Sequence, residues 1–111
     1  MSQVWTYICS AGELLPGEMK ASFDEVTGAP IVAFNLDGTL YALEDQCTHD
    51  EFELSSGTFN ATEGSIECVL HSARFDVRDG RALCAPAYTA VAKFPVKLED
   101  GGIWARDDRD D

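Results

Sequence analysis

Four side chains carry the chemistry this sequence offers: Cys47 and His49 in one short cluster, Cys68 and His71 in another, with 18 residues (50–67) between the clusters. Each cluster supplies one thiolate and one imidazole. Two sulfurs and two nitrogens suit a [2Fe–2S] centre in which cysteines hold one iron and histidines the other. A cysteine side chain is short and a histidine long, so a loop carrying both sets its thiolate on an inner iron and its imidazole on an outer one. Two such loops facing each other would place Cys47 and Cys68 inside, His49 and His71 outside. A tetrahedral zinc is the alternative for the same donors. It wants both ligands of a knuckle aimed at one point, commonly with about two to four residues between them. Cys47 and His49 have only Thr48 between them and fit that poorly.

The mixed ligand set has a redox consequence. Replacing two thiolates by neutral imidazoles removes two negative charges, so adding an electron costs less than in an all-cysteine centre. Potentials of such centres span roughly −150 to +300 mV, against about −400 mV for the plant-type all-cysteine cluster. Asp50, Glu51 and Glu53 follow His49, oppose further negative charge and favour the low end of that range. Neutral ligands stabilise Fe(II) better than thiolates do, so the histidine-held iron should take the electron, with the edges of His49 and His71 as its route in and out. No bond-making step is implied and no residue needs a general-acid or nucleophile role. The expectation is an electron-transfer component, not an enzyme.

The elements that must hold these loops read as short β-strands punctuated by turns. Val4, Thr6 and Ile8 alternate with Trp5, Tyr7 and Cys9 in a first strand that looks buried or half-buried on both sides. Ser10-Ala11-Gly12-Glu13 has the form of a one-turn capping box, ended by Pro16-Gly17. Residues 19–23 and 30–34 are the next strands. Asp37-Gly38 then makes a hairpin turn into residues 39–43, because both central positions of a type I′ turn need positive φ. The same signal recurs at Asp79-Gly80 and at Asp100-Gly101, the latter joining 91–98 to 103–106 as a closing hairpin. Residues 65–69 form a strand leading into the second cluster, and 73–77 one leaving it. Phe52, Phe59 and Phe75 are expected to pack beneath the loops, with Trp5 and Trp104 in the core or at an edge of the framework.

At 111 residues the chain is expected to be a single domain, 1–111. Within it a cluster-binding subdomain runs from about 45 to 86, on a β-framework of 1–44 and 87–106, with a polar tail at 107–111 that should fray. No apolar run is long enough to span a bilayer and no leader-like segment opens the chain, so a cytoplasmic protein without membrane attachment is expected. Four cysteines without a secretion signal argue for metal or redox use over a disulfide framework. Cys9 and Cys84, left over from the quartet, read as small buried apolar residues. Twenty acidic against eight basic residues give a formal charge of −12. That repels nucleic acid and anionic membranes and favours partners with basic faces, as suits a carrier that must meet its clients fast and leave again.

The whole chain resembles the Rieske-type ferredoxins of bacterial aromatic-ring-hydroxylating dioxygenase systems. The resemblance rests on C-x-H, 18 residues, then C-x-x-H, in a chain of this length with strands on either side. Tyr41-Ala42-Leu43-Glu44-Asp45-Gln46 leading into Cys47, and Leu54-Ser55-Ser56-Gly57 between the loops, add to it. So does Gly80-Arg81-Ala82-Leu83-Cys84-Ala85-Pro86-Ala87, which is similar to the phenylpropionate/cinnamate type. The resemblance implies an all-β fold of three antiparallel sheets, with one Rieske [2Fe–2S] cluster at one tip and a proline loop, here 84–87, covering it. It implies a monomeric one-electron carrier between a flavin-dependent NAD(P)H reductase and a terminal oxygenase. Asp50, Val69 and Ser72 depart from the family pattern, in which glycine, proline and glycine are common, so a different placement of the backbone amides to the bridging sulfides is expected. Neither loop holds the extra cysteine of the respiratory branch. The alternatives are the ferredoxin of a diiron monooxygenase and a Cys2His2 zinc interaction module. A catalytic oxygenase would need a further pair of histidines for its mononuclear iron, and the chain has two in all.

Overall fold

The computed structural model describes residues 4–46, 53–68, 73–83 and 90–108. Among these, ten short strands form three antiparallel sheets, as expected from the family resemblance, with two single 3₁₀ turns and no α-helix. The strands are β1 Thr6–Ser10, β2 Met19–Phe23, β3 Pro30–Leu36, β4 Thr39–Glu44, β5 Thr58–Asn60, β6 Ser65–Glu67, β7 Arg74–Asp76, β8 Lys93–Phe94, β9 Val96–Glu99 and β10 Gly102–Ala105. A terminal sheet runs β1-β10-β9, a central sheet β2-β3-β4-β8, and a small third sheet β5-β6-β7.

The central sheet is covered on both faces, which is why β3 is apolar almost without a break. Its alternating side chains divide between two cores. Ile31 and Ala33 join Ile8, Phe94, Ile103 and Ala105 against the terminal sheet. Val32, Phe34 and Leu36 join Leu43, Ile66 and Phe75 against the third sheet. Phe34 also meets Phe59 edge-on, with ring centroids 5.0 Å apart. Phe75 lies in, and Phe59 packs against, the core that contains Leu54, Cys68 and Ala73, while Phe52 lies outside the described residues.

Two of the three Asp-Gly signals form the tight turns they suggest. Asp37 and Gly38 have φ of +55° and +95°, and Asp100 and Gly101 +51° and +74°. At Asp79-Gly80 only the glycine is left-handed. Asp76 N–H donates to Arg81 O (2.9 Å) and Gly80 N–H to Asp76 O (2.7 Å), so the chain reverses over four residues instead of two. The capping box is also present, with Ser10 N–H and Oγ both donating to Glu13 Oε1 at 3.1 and 2.8 Å. The backbone and hydroxyl donors of Ser10 hold the Glu13 carboxyl below its ordinary range.

Three expectations need correction. Residues 91–98 are not one strand: β8 pairs with β4 and β9 with β10, and Pro95 between them, with no N–H to donate, is where the chain changes sheet. The first strand is not enclosed on both sides, since Val4 and Tyr7 are exposed. A register shift between Tyr7 and Cys9 breaks the alternation and lets consecutive Ile8 and Cys9 both enter the core. The tail does not fray at Asp107, which is buried. Its N–H donates to Asp24 Oδ2 (2.7 Å) and its own Oδ2 accepts from Thr27 Oγ1 (3.1 Å); residues 109–111 lie outside the described set. Trp5 precedes the edge strand β1, whereas Trp104 lies on the central strand β10 of the terminal sheet; both are half-buried. Lys97 Nζ and the Arg106 guanidinium stand 4.5 and 5.2 Å from the Trp5 ring centroid, and Trp104 meets Tyr7 edge-on at 5.2 Å.

Candidate metal centre

Of the four expected ligands, Cys68 lies within the described residues; Cys47, His49 and His71 lie outside them. What the structure describes is how each ligand loop is rooted. β6 and β7 pair antiparallel up to Glu67↔Arg74. Cys68 N–H then donates to Ala73 O at 2.7 Å, extending the ladder one step. The chain therefore leaves the sheet at Cys68 and re-enters at Ala73, with residues 69–72 as the intervening span. Both feet are enclosed, Cys68 at 1% exposure and Ala73 at 0%. Cys68 is a free thiol.

The first loop leaves from β4. Asp45 N–H donates to Pro30 O (2.9 Å), fixing the start of the loop to β3. Residue Ser55 fixes its end. The Ser55 N–H donates to Asp45 Oδ1 at 2.7 Å and its hydroxyl to Asp45 Oδ2 at 2.6 Å, so one buried carboxylate takes both donors of one residue. A 3₁₀ turn over Leu54–Ser56 follows, closed by Gly57 N–H to Leu54 O (2.9 Å). Leu54 is fully buried in the same core cluster as Leu43, Cys68 and Ala73.

The two loops meet at Gly57. A Cβ on that residue would lie 1.9 Å from Glu67 O, so the exit of the first loop rests directly on backbone one residue before Cys68. Gly57 has φ −92°, an ordinary extended value. Space, not conformation, demands glycine here. Gly80 makes a comparable approach to Val91 O, 2.1 Å from where its Cβ would stand, and is left-handed as well. The expected cover at 84–87 lies outside the described residues. Its stem begins at Leu83, whose N–H donates to Arg74 O (2.8 Å), beside the second loop's re-entry.

The arrangement suits a cluster gripped between two braced loops. A free, enclosed thiol stands at the foot of one loop, a rigid polar clamp closes the other, and their backbones touch. Among the described residues no three His, Cys, Asp or Glu side chains converge as another metal site. Cys9 is enclosed away from this region, and burial, helped by the charge of Glu13, pushes its thiol upward, as befits an inert core cysteine. The sequence does not single out Asp45, Ser55 and Gly57 as site-forming residues, because each acts through a partner distant along the chain.

Comparisons with known proteins agree with this construction. A family profile described as Rieske [2Fe-2S] domain matches residues 4–95. The ferredoxin component of biphenyl 2,3-dioxygenase from Rhodococcus jostii (strain RHA1) is 43% identical over 98 residues, covering 88% of each chain. Among solved structures, a complex of reduced oxygenase and oxidized ferredoxin in carbazole 1,9a-dioxygenase contains a chain that matches with a TM-score of 0.85 at 30% identity, over 95% of this chain and 94% of that one. The ferredoxin of carbazole 1,9a-dioxygenase from Nocardioides aromaticivorans IC177 matches with a TM-score of 0.86 at 29% identity, over 94% and 98%.

Proposed function

This chain belongs to the Rieske [2Fe–2S] domain family, and on that premise we propose that it is a one-electron carrier, reduced by a flavin-dependent NAD(P)H reductase and oxidised by a terminal aromatic-ring-hydroxylating dioxygenase. Its cofactor is one Rieske-type [2Fe–2S] cluster, which supplies one-electron chemistry and no bond-making step. The observation that carries the reading is the common rooting of the two loops. Asp45–Ser55 closes one and Cys68–Ala73 the other, and both feet enter the core that contains Leu54.

The ligand assignment rests on the spacing of C-x-H and C-x-x-H, and the rooting of the two loops supports it. Cys47 and Cys68 are proposed to hold the inner iron, and the burial of Cys68 supports its place at the enclosed end. His49 and His71 are proposed to hold the outer iron. Braced loop roots favour a small reorganisation on electron transfer. The protein is proposed to work as a cytoplasmic monomer; no helix among the described residues is long and apolar enough to cross a membrane. The formal charge of −12 supports steered, short-lived encounters with basic faces of the two clients.

The test is anaerobic. NADH and a dioxygenase-system reductase should bleach the oxidised protein in a reductase-dependent way. Mixing the reduced form with a terminal oxygenase and its aromatic substrate should restore the oxidised spectrum. A protein that neither accepts electrons from any such reductase nor passes them to any such oxygenase is not this carrier.

A further inference from the structure

Asp45 is more than a turn residue. The residue is 3% exposed, and both carboxylate oxygens are engaged by the same partner, Ser55, ten residues along the chain and on the far side of the first ligand loop. Its own N–H is held by Pro30 O on the neighbouring strand. The loop's end is therefore fastened to Asp45, and Asp45 to the framework. Building on the proposed ligand set, we propose that Asp45 is the positioning residue of the cluster. It clamps the loop that carries Cys47 and His49, and its fixed negative charge holds the reduction potential down.

Two physical effects follow from one side chain, and they separate. The clamp works through hydrogen bonds to a charged acceptor, the stronger class, made where Asp45 is buried and Ser55 half-buried. The charge works through the field. An enclosed carboxylate two residues from Cys47 is weakly screened and disfavours the electron that makes the cluster more negative. Glu53 stands nearby but is exposed, so solvent and salt screen it.

Three variants distinguish the effects. In Asp45→Asn the amide oxygen accepts from Ser55 N–H and the amide nitrogen donates to Ser55 Oγ, so the clamp persists while the charge goes. Ser55→Ala keeps the charge and removes the hydroxyl bond. Asp45→Ala removes both. The readouts are the midpoint potential and the half-time of bleaching under an iron chelator, with the thermal transition reporting framework integrity. Asp45→Asn should raise the potential and keep the bleaching half-time within about twofold of wild type. Ser55→Ala should bleach several-fold faster with a smaller change in potential, and Asp45→Ala faster still. An Asp45→Asn potential equal to wild type overturns the electrostatic role, and wild-type bleaching in both alanine variants overturns the clamp. A wild-type protein without the visible iron–sulfur spectrum overturns the ligand reading itself. That outcome is distinct from a wild type that holds its cluster beside variants that do not move.

Discussion

Substituting Gly57 by alanine tests the claim that the two ligand loops share one backbone foundation. The added methyl would stand 1.9 Å from Glu67 O, 3.0 Å from Glu67 C and 3.2 Å from Leu54 O. Carbon–oxygen contacts settle near about 3.3–3.6 Å, so the first loop's exit and the end of β6 must separate by about 1 Å or more. Neither side yields easily. Gly57 closes the 3₁₀ turn on Leu54, which is fully buried, and Glu67 is paired with both Thr58 and Arg74. Strain of this kind costs about 1–3 kcal/mol, and here it lands between the feet of the proposed ligands. Gly57→Ala should lower the thermal midpoint of the framework and, more sharply, the fraction of chains carrying the cluster, read from visible absorbance and iron content. Gly28→Ala is the control. Gly28 is left-handed (φ +78°) with open space where a Cβ would stand, so the variant incurs about 1–2 kcal/mol of conformational strain without touching the loops. It should lose stability and keep the cluster. If Gly57→Ala holds a full complement of iron with wild-type stability, the loops are not founded on each other as described.

Asp24 has no exposure and accepts from Val26 and Thr27 N–H (2.7 and 2.9 Å) and from Asp107 N–H (2.7 Å). Burial raises its pKa and is the largest single influence. The three backbone donors together outweigh it and leave the carboxyl below its ordinary range. A lowered folded-state pKa gives stability that is present above the unfolded value, about 3.9, and lost as pH falls through the folded one. Asp24→Asn turns an amide donor towards one of these N–H groups and should cost about 1.5–3 kcal/mol at neutral pH, a deficit that narrows in chemical denaturation below about pH 4; a deficit constant with pH would contradict this. Electron transfer to both partners should slow as salt rises, because screening at about 8 Å near physiological ionic strength removes the steering, and salt-independent rates would refute it. Replacing His71 by Cys, where a cluster still assembles, should lower the potential through the added negative ligand, and an unmoved potential would mean that His71 is no ligand.

The parts of the molecule legible in the sequence are those whose physics is local. Asp37-Gly38 and Asp100-Gly101 make their turns because the two residues themselves tolerate positive φ, and the Ser10–Glu13 box closes within four residues. The C-x-H and C-x-x-H clusters are likewise legible, since donor type and spacing are written along the chain. What escaped depends on partners far away in sequence. Nothing near Gly57 announces the carbonyl of Glu67, and nothing near Asp45 announces Ser55. Asp107 looks like any acid in an acidic tail until Asp24 and Thr27, some eighty residues earlier, are placed beside it. The change of sheet at Pro95 was written in the proline, but the apolar run on either side reads as one strand until the two pairings separate it.

Unequal ligation of two irons is the claim on which the rest depends, and magnetic resonance of the reduced protein tests it most directly. After anaerobic isolation and reduction with dithionite, the spectrum should be that of one unpaired electron on a cluster of low average g-value. Couplings to imidazole nitrogen should be present in the wild type and diminished in His71→Cys. A preparation lacking iron and inorganic sulfide after reconstitution, or a reduced cluster with purely sulfur ligation, would contradict it.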